Sequence, residues 1–254
     1  MWICIHIFKV NVDNTTQIMS HNADKNEPQI NKMEATKIQI KEHFMDKAQY
    51  LVGSGKKEWI FLHHTAGWDN PMGTIDGWNK DTRGKIATEF VLGGQNIKKK
   101  EHIYDGVIAQ AFPSGNYGWH LGTGNSLMHR NSVGIEICSF GQVVKGKNYV
   151  NLPVPEEQTV KLTKAFRGFQ HWHKYSDKQL VSLKALILFI ANRDAIDPRK
   201  GLVELIKEKG ADAFDVMDVA MCTNKHGMWT HTNVLKGKVD CSPQQNLIDM
   251  LLSL

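Results

Sequence analysis

The feature that most limits what this chain can fold into is a change of period. Between Trp59 and Cys138 the apolar residues come in short runs closed by turn residues, whereas after Pro155 they recur at looser, helix-like intervals. Trp59-Ile60-Phe61-Leu62, rich in aromatic and branched residues, follows the turn signal Gly53-Ser54-Gly55-Lys56-Lys57 and reads as a buried strand ending at His63-His64. Phe90-Val91-Leu92, Gly106 to Gln110 and Val133 to Cys138 read likewise, with Gly93-Gly94 and Tyr104-Asp105-Gly106 as turns. Downstream, Val160, Leu162, Phe166, Phe169 and Trp172 predict a helix from Pro155 to about Tyr175, with acidic residues in its first turn. Ser176-Asp177 caps a second helix, Lys178 to Ile196, that Pro198 stops; Gly201 to Lys209 and Leu247 to Leu252 add two short ones. Strands first and helices afterwards predict an α/β domain with a single central mixed β-sheet flanked by helices.

With 254 residues, 41% of them hydrophobic, the chain can bury the core of one domain plus an appendage. The appendage is expected at residues 1–34, a polar, aperiodic and mobile N-terminal arm in which Met19 and Met33 are alternative starts; the domain is expected over 35–254. The apolar start, Met1 to Val10, has no basic region before it and no small-residue cleavage site after it, and no stretch of about 18 apolar residues occurs. Synthesis in a cytoplasm, without a signal peptide or membrane insertion, is the expectation. Cys4, Cys138, Cys222 and Cys241 show no CxxC spacing, which favours a reducing compartment and argues against a structural zinc knuckle. Thirty-one basic against 26 acidic residues leave +5, which helps approach to an anionic polymer but selects neither cell wall nor nucleic acid; Lys98-Lys99-Lys100 reads as a solvated turn.

A catalytic zinc takes three protein ligands and keeps one position open, and its ligands commonly sit at the ends of rigid elements far apart in sequence. His63 at the end of the first strand, with His231 and Asp240 on a later loop, form such a set. Spacing alone leaves the set open between a metal site and hydrogen-bonded structural residues.

Four segments in fixed order carry a resemblance: His63-His64-Thr65-Ala66-Gly67, Trp119-His120-Leu121-Gly122, Asn131-Ser132-Val133-Gly134-Ile135-Glu136 and Lys238-Val239-Asp240. Together, from about Trp59 to Pro243, they resemble the N-acetylmuramoyl-L-alanine amidase type 2 family, which includes phage lysozyme-amidases and animal peptidoglycan-recognition proteins. The resemblance implies a zinc site at one edge of the sheet, with His63, His231 and Asp240 as ligands. Cys241 remains the alternative third ligand, since the family uses Asp or Cys two residues beyond a catalytic Lys and a thiolate also binds zinc. It further implies Glu136 as the carboxylate that moves the proton and Lys238 as the cation beside the oxyanion. His120, Trp119, Asn131 and His64 are the candidate substrate contacts, with a packed core role open for Trp119. Some family members place a tyrosine just before the second strand; here Thr88-Glu89-Phe90 stands there, which puts more weight on Glu136.

The implied substrate is peptidoglycan or a muropeptide, and the implied setting a phage or prophage endolysin or a cytoplasmic recycling amidase. A recognition module without turnover is the alternative, disfavoured because all three ligands and the glutamate are present. A nucleic-acid partner rests only on net charge and on the regulatory side role of one phage relative of the family, and is not expected. Residues 199–228 read as an insertion, forming either one wall of the groove or a structural elaboration.

Overall fold

The structure, a computed structural model, describes residues 38–53 and 55–254, so the arm expected over 1–34 lies outside the described residues. Strand β2 (Trp59–His64) is buried along its whole length because it has a parallel strand on either side, β5 (Ser132–Ile137) and β9 (Gly227–Thr230). A strand covered on both faces can be apolar throughout, which is why its sequence shows a run rather than an alternation. Beyond β5 come β3 (Phe90–Leu92), parallel to it, then β4 (Ile108–Gln110), antiparallel to β3, and β1 (Ile40–Glu42), parallel to β4. The order β1-β4-β3-β5-β2-β9 is the central mixed sheet expected from the sequence.

Alternate residues of the strands divide the core. Phe90, Leu92 and Ile108 join the large cluster formed with α3 (Asp177–Asp194), α4 (Leu202–Lys209) and α6 (Gln245–Leu252). Val91 and Ala109 face the other way, toward Ile75, Met72 and Trp78 of α1 (Pro71–Asn79), so helices cover both faces. Helix α3 begins where its sequence predicts, in a capping box of Ser176 and Gln179, and ends at Ala195 in the left-handed conformation.

The helix expected from Pro155 to Tyr175 is a correction. After a single 3-10 turn, Glu156–Gln158, the chain forms a hairpin of β7 (Thr159–Phe166) and β8 (Phe169–His173), which with β6 (Gln142–Val143) makes a small antiparallel sheet of order β6-β8-β7. Arg167 and Gly168, at φ 50° and 86°, supply the two left-handed residues that a tight hairpin demands, and Phe166 pairs with Phe169 across it. Val160, Leu162 and Phe166 all fall on even positions, a period of two that also passes as loose helical spacing once Phe169 and Trp172 of the return strand are added.

Candidate metal and catalytic site

His63 closes β2, Glu136 is its register partner on β5, and His231 directly follows β9. Three neighbouring parallel strands therefore deliver side chains at their carboxyl ends, where open α/β sheets place ligands, and β9 is the sheet's edge strand. His231 opens a 3-10 turn, His231–Asn233, and Asp240 is tied to it by the Thr232 backbone N–H donating to the Asp240 carbonyl at 3.2 Å.

The segment 199–228 supports that turn from behind. It contains α4, a 3-10 turn over Gly210–Asp215 and α5 (Val219–Asn224). Thr232 Oγ1 donates to the Phe214 carbonyl at 2.6 Å, and Asn233 Nδ2 to the carbonyls of Ala213 and Val216 at 3.1 and 2.7 Å. No residue of 199–228 lines the cavity beside the site, so of its two readings the groove wall gives way to a buttress for the ligand loop.

His63 Nδ1, His231 Nδ1 and Asp240 Oδ2 form a triangle with sides of 3.0, 2.9 and 3.4 Å. Hydrogen bonds at the far sides of the rings decide where the imidazole protons are. The Leu121 carbonyl can only accept, so His231 Nε2, 3.0 Å away, carries a proton, and in the neutral form that a metal ligand takes Nδ1 is bare. For His63 the chain of reasoning is longer. Ser132 Oγ donates to the His129 carbonyl at 3.4 Å and so accepts from His120 Nε2 at 2.8 Å. That leaves His120 Nδ1 to accept from His63 Nε2 at 3.0 Å, and His63 Nδ1 is bare as well.

Three acceptor atoms without a proton between them repel unless a cation joins them. Zinc ligands about 2.0–2.1 Å from the ion at tetrahedral angles stand roughly 3.3 Å apart, and the observed triangle is of that size. The residues fit a small divalent ion.

Electrostatics agree with this assignment. Burial first, and His231 second, hold His63 down to about 4, so it is neutral near pH 7 as a ligand must be. Burial works to raise the Asp240 carboxyl, but hydrogen bonds from His231 and His63, which those rings can give only while Nδ1 carries a proton and no ion is bound, outweigh burial and keep it well below the usual range. Glu136 goes the other way, raised to about 8 by burial and then by the Asp240 carboxylate, with Lys238 pulling it down. Its Oε2 is buried and takes no hydrogen bond among the described residues. A buried polar atom so placed is costly unless something in the cavity uses it.

The site opens into a cavity of about 740 Å³ lined in part by Glu136, Lys238, His64, Trp119 and His120. Trp119 is 38% exposed, which favours the cleft over the core. His64 points to the opposite sheet face from His63 and meets the Tyr175 hydroxyl at 3.0 Å, yet its position at the strand end still brings it to the wall. Asn131 is not brought there. It precedes β5 at the strand's amino end, its Nδ2 donates to Glu58 Oε2 at 3.1 Å, and five steps along an extended chain, about 16 Å, separate it from Glu136. Cys241 is fully buried, raised well above the ordinary thiol range by burial and by Asp240, and lies outside the ligand cluster.

Sequence reasoning missed Ser132, His129 and Tyr175, which hold His120 and His64 in place, and Arg83 and Trp78, which line the far wall. Ser132 and Gly134 carried a signal, because they share the strand face of Glu136. Gly134 makes the room for His120: a Cβ there would stand 2.6 Å from Thr88 Cγ2 and 3.0 Å from His120 Nδ1. Gly134→Ala is therefore expected to destabilise the protein by about 1–3 kcal/mol through overpacking. A denaturant midpoint equal to wild type would show that Thr88 and His120 yield without cost.

The sequence profile of the N-acetylmuramoyl-L-alanine amidase family matches residues 53–240. No curated protein matches the chain. Among solved structures the chain is similar to the catalytic domain of XlyA, with 15% identity, 85% of this chain and 98% of that one covered and a TM-score of 0.46. It is similar also to PlyL, with 12% identity, 80% and 86% covered and a TM-score of 0.45. For the Staphylococcus aureus hydrolase AmiA in complex with its ligand, the values are 13%, 84%, 82% and 0.45.

Proposed function

The chain belongs to the N-acetylmuramoyl-L-alanine amidase family, and from that premise we propose that it is a zinc-dependent hydrolase of the amide between N-acetylmuramic acid and L-alanine in peptidoglycan. One observation carries the reading: three bare acceptor atoms, on His63, His231 and Asp240, stand together beside a cavity into which a buried carboxyl and a lysine also face.

A zinc ion held by those three supplies a Lewis acid beside the scissile carbonyl and makes water a stronger nucleophile near neutral pH. The residues do the rest. Glu136 takes the proton of the attacking water and delivers it to the departing L-alanine amine, a task suited to a carboxyl raised to about 8. Lys238, whose charge already acts on both Glu136 and His63, balances the negative charge that develops on the carbonyl oxygen. His120 is a positioning residue. Its bonds to His63 and Ser132 fix the ligand's tautomer and ring plane, the service that outer partners commonly render to metal-binding histidines. His64 and Trp119 remain as walls that substrate touches.

Of the two settings this chemistry allows, we take lysis of the wall by a phage or prophage endolysin rather than recycling of soluble muropeptides. No helix among the described residues is long and apolar enough to cross a membrane. The test is release of L-alanine amino termini and free muramyl lactyl carboxyls from purified sacculi. New termini are the expected result; binding to sacculi without new termini would make this a recognition module instead.

A further inference from the structure

Just outside the cavity the chain displays two aromatic rings that the chemistry above does not use. Trp68 is 43% exposed and Tyr149 is 59% exposed, high values for side chains of such apolar area. Both are fixed to the rim. Tyr149 donates its hydroxyl to the carbonyl of Ala66 at 2.7 Å, and Ala66 itself lines the cavity. Trp68, two residues further on, packs edge-to-face on Phe140 at 5.2 Å between centroids, and Phe140 lies within 6.5 Å of Tyr149. The Gly67 N–H bonds to the Ser139 carbonyl at 3.1 Å, and Gly141 lies against the wall residue His64, so the patch is tied to the segments that carry the wall. Lys98 stands over the Trp68 ring, its ammonium 5.0 Å from the centroid.

We propose that Trp68 and Tyr149 form a platform that binds the glycan strand of polymeric substrate next to the muramyl residue being cleaved. The proposal rests on the amidase reading. A pyranose ring has a C–H face that lies flat on an aromatic ring and a hydroxylated edge that needs polar partners. The patch offers two rigid aromatic surfaces and, in Lys98, a flexible donor. Tyr149 spends its own proton on Ala66, so it contributes its ring face. Continuity with the cavity at Ala66 favours the substrate's own polymer over a membrane surface, for which exposed Val144 and Val150 near Tyr149 make the competing case.

The test is a pair of substrates for the full-length, metal-loaded protein: sacculi, and a soluble muramyl-L-alanyl peptide that lacks neighbouring saccharides. Trp68→Ala and Tyr149→Ala are each expected to lower kcat/KM on sacculi by about tenfold, the scale for truncating a buried aromatic anchor, and to leave the soluble peptide unaffected. Trp68→Phe, which keeps a flat face, is expected to retain most of the activity on sacculi and guards against a loss that is only structural. Unchanged turnover of sacculi, or an equal loss on both substrates, overturns the platform. So does a Trp68→Ala protein that pelleted less with anionic lipid vesicles but normally with sacculi. Should wild type release no L-alanine termini from either substrate, the amidase reading fails on its own. Sedimentation with sacculi then still decides the platform, supported if Trp68→Ala weakens it and refuted if not.

Discussion

Glu136→Gln is expected to slow release of L-alanine termini by about 10²- to 10⁴-fold while the protein keeps its metal. The substitution preserves shape and replaces a group that can hold a proton with one that cannot exchange it. Its size follows from the site: Glu136 is the register partner of His63, its Oε2 is buried without a partner among the described residues, and no other carboxylate lines the cavity except Asp240, which the ligand triangle occupies. A merely structural role for this strand carboxylate would instead show as a lowered denaturation midpoint with turnover intact. Metal content and turnover measured on one preparation separate the cases, and intact turnover with metal bound would remove Glu136 from the chemistry.

The second large effect concerns the third ligand. Asp240→Ala is expected to weaken zinc binding by more than about 100-fold, since losing even an outer partner of a metal ligand costs 10- to 100-fold, and activity falls with it. Cys241→Ala is expected to leave metal content unchanged. The neighbouring residues face different surroundings: Asp240 Oδ2 lies 2.9 Å from His231 Nδ1, whereas Cys241 is packed in the core beside Tyr175. Chelator competition on the two variants is decisive. Wild-type activity should vanish with chelator and return with zinc, and a Cys241→Ala protein that lost its metal while Asp240→Ala kept it would reassign the ligand.

Strand-end position in an apolar run singled out His63, whereas Glu136 was singled out by the Asn131-to-Glu136 motif that carries the family resemblance. His231 and Asp240 gained their meaning from order along the chain more than from local pattern, because β9 has only four residues and gives almost no periodic signal. The direction of His120 was not readable at all. It depends on the gap over Gly134, the wall at Thr88 and the hydroxyl of Ser132, contacts between segments that only the folded sheet brings together. Asn131 misled for a related reason: it shares a motif with Glu136, but an extended strand carries the two ends of a motif far apart. The β7–β8 hairpin misled because a run of bulky residues broken by Arg167-Gly168 fits helix spacing when the turn is overlooked.

Two of the three proposed metal ligands follow β9, the last strand to enter the sheet in chain order. During synthesis His63, His120 and Glu136 emerge from the ribosome before His231, Lys238 and Asp240 do. On the proposed function the nascent protein therefore assembles most of its sheet before it can hold the ion, and becomes competent only when the segment carrying β9, His231 and Asp240 docks at the sheet's edge. An ion that binds the docked form alone also holds that segment in place, in proportion to its concentration over its dissociation constant.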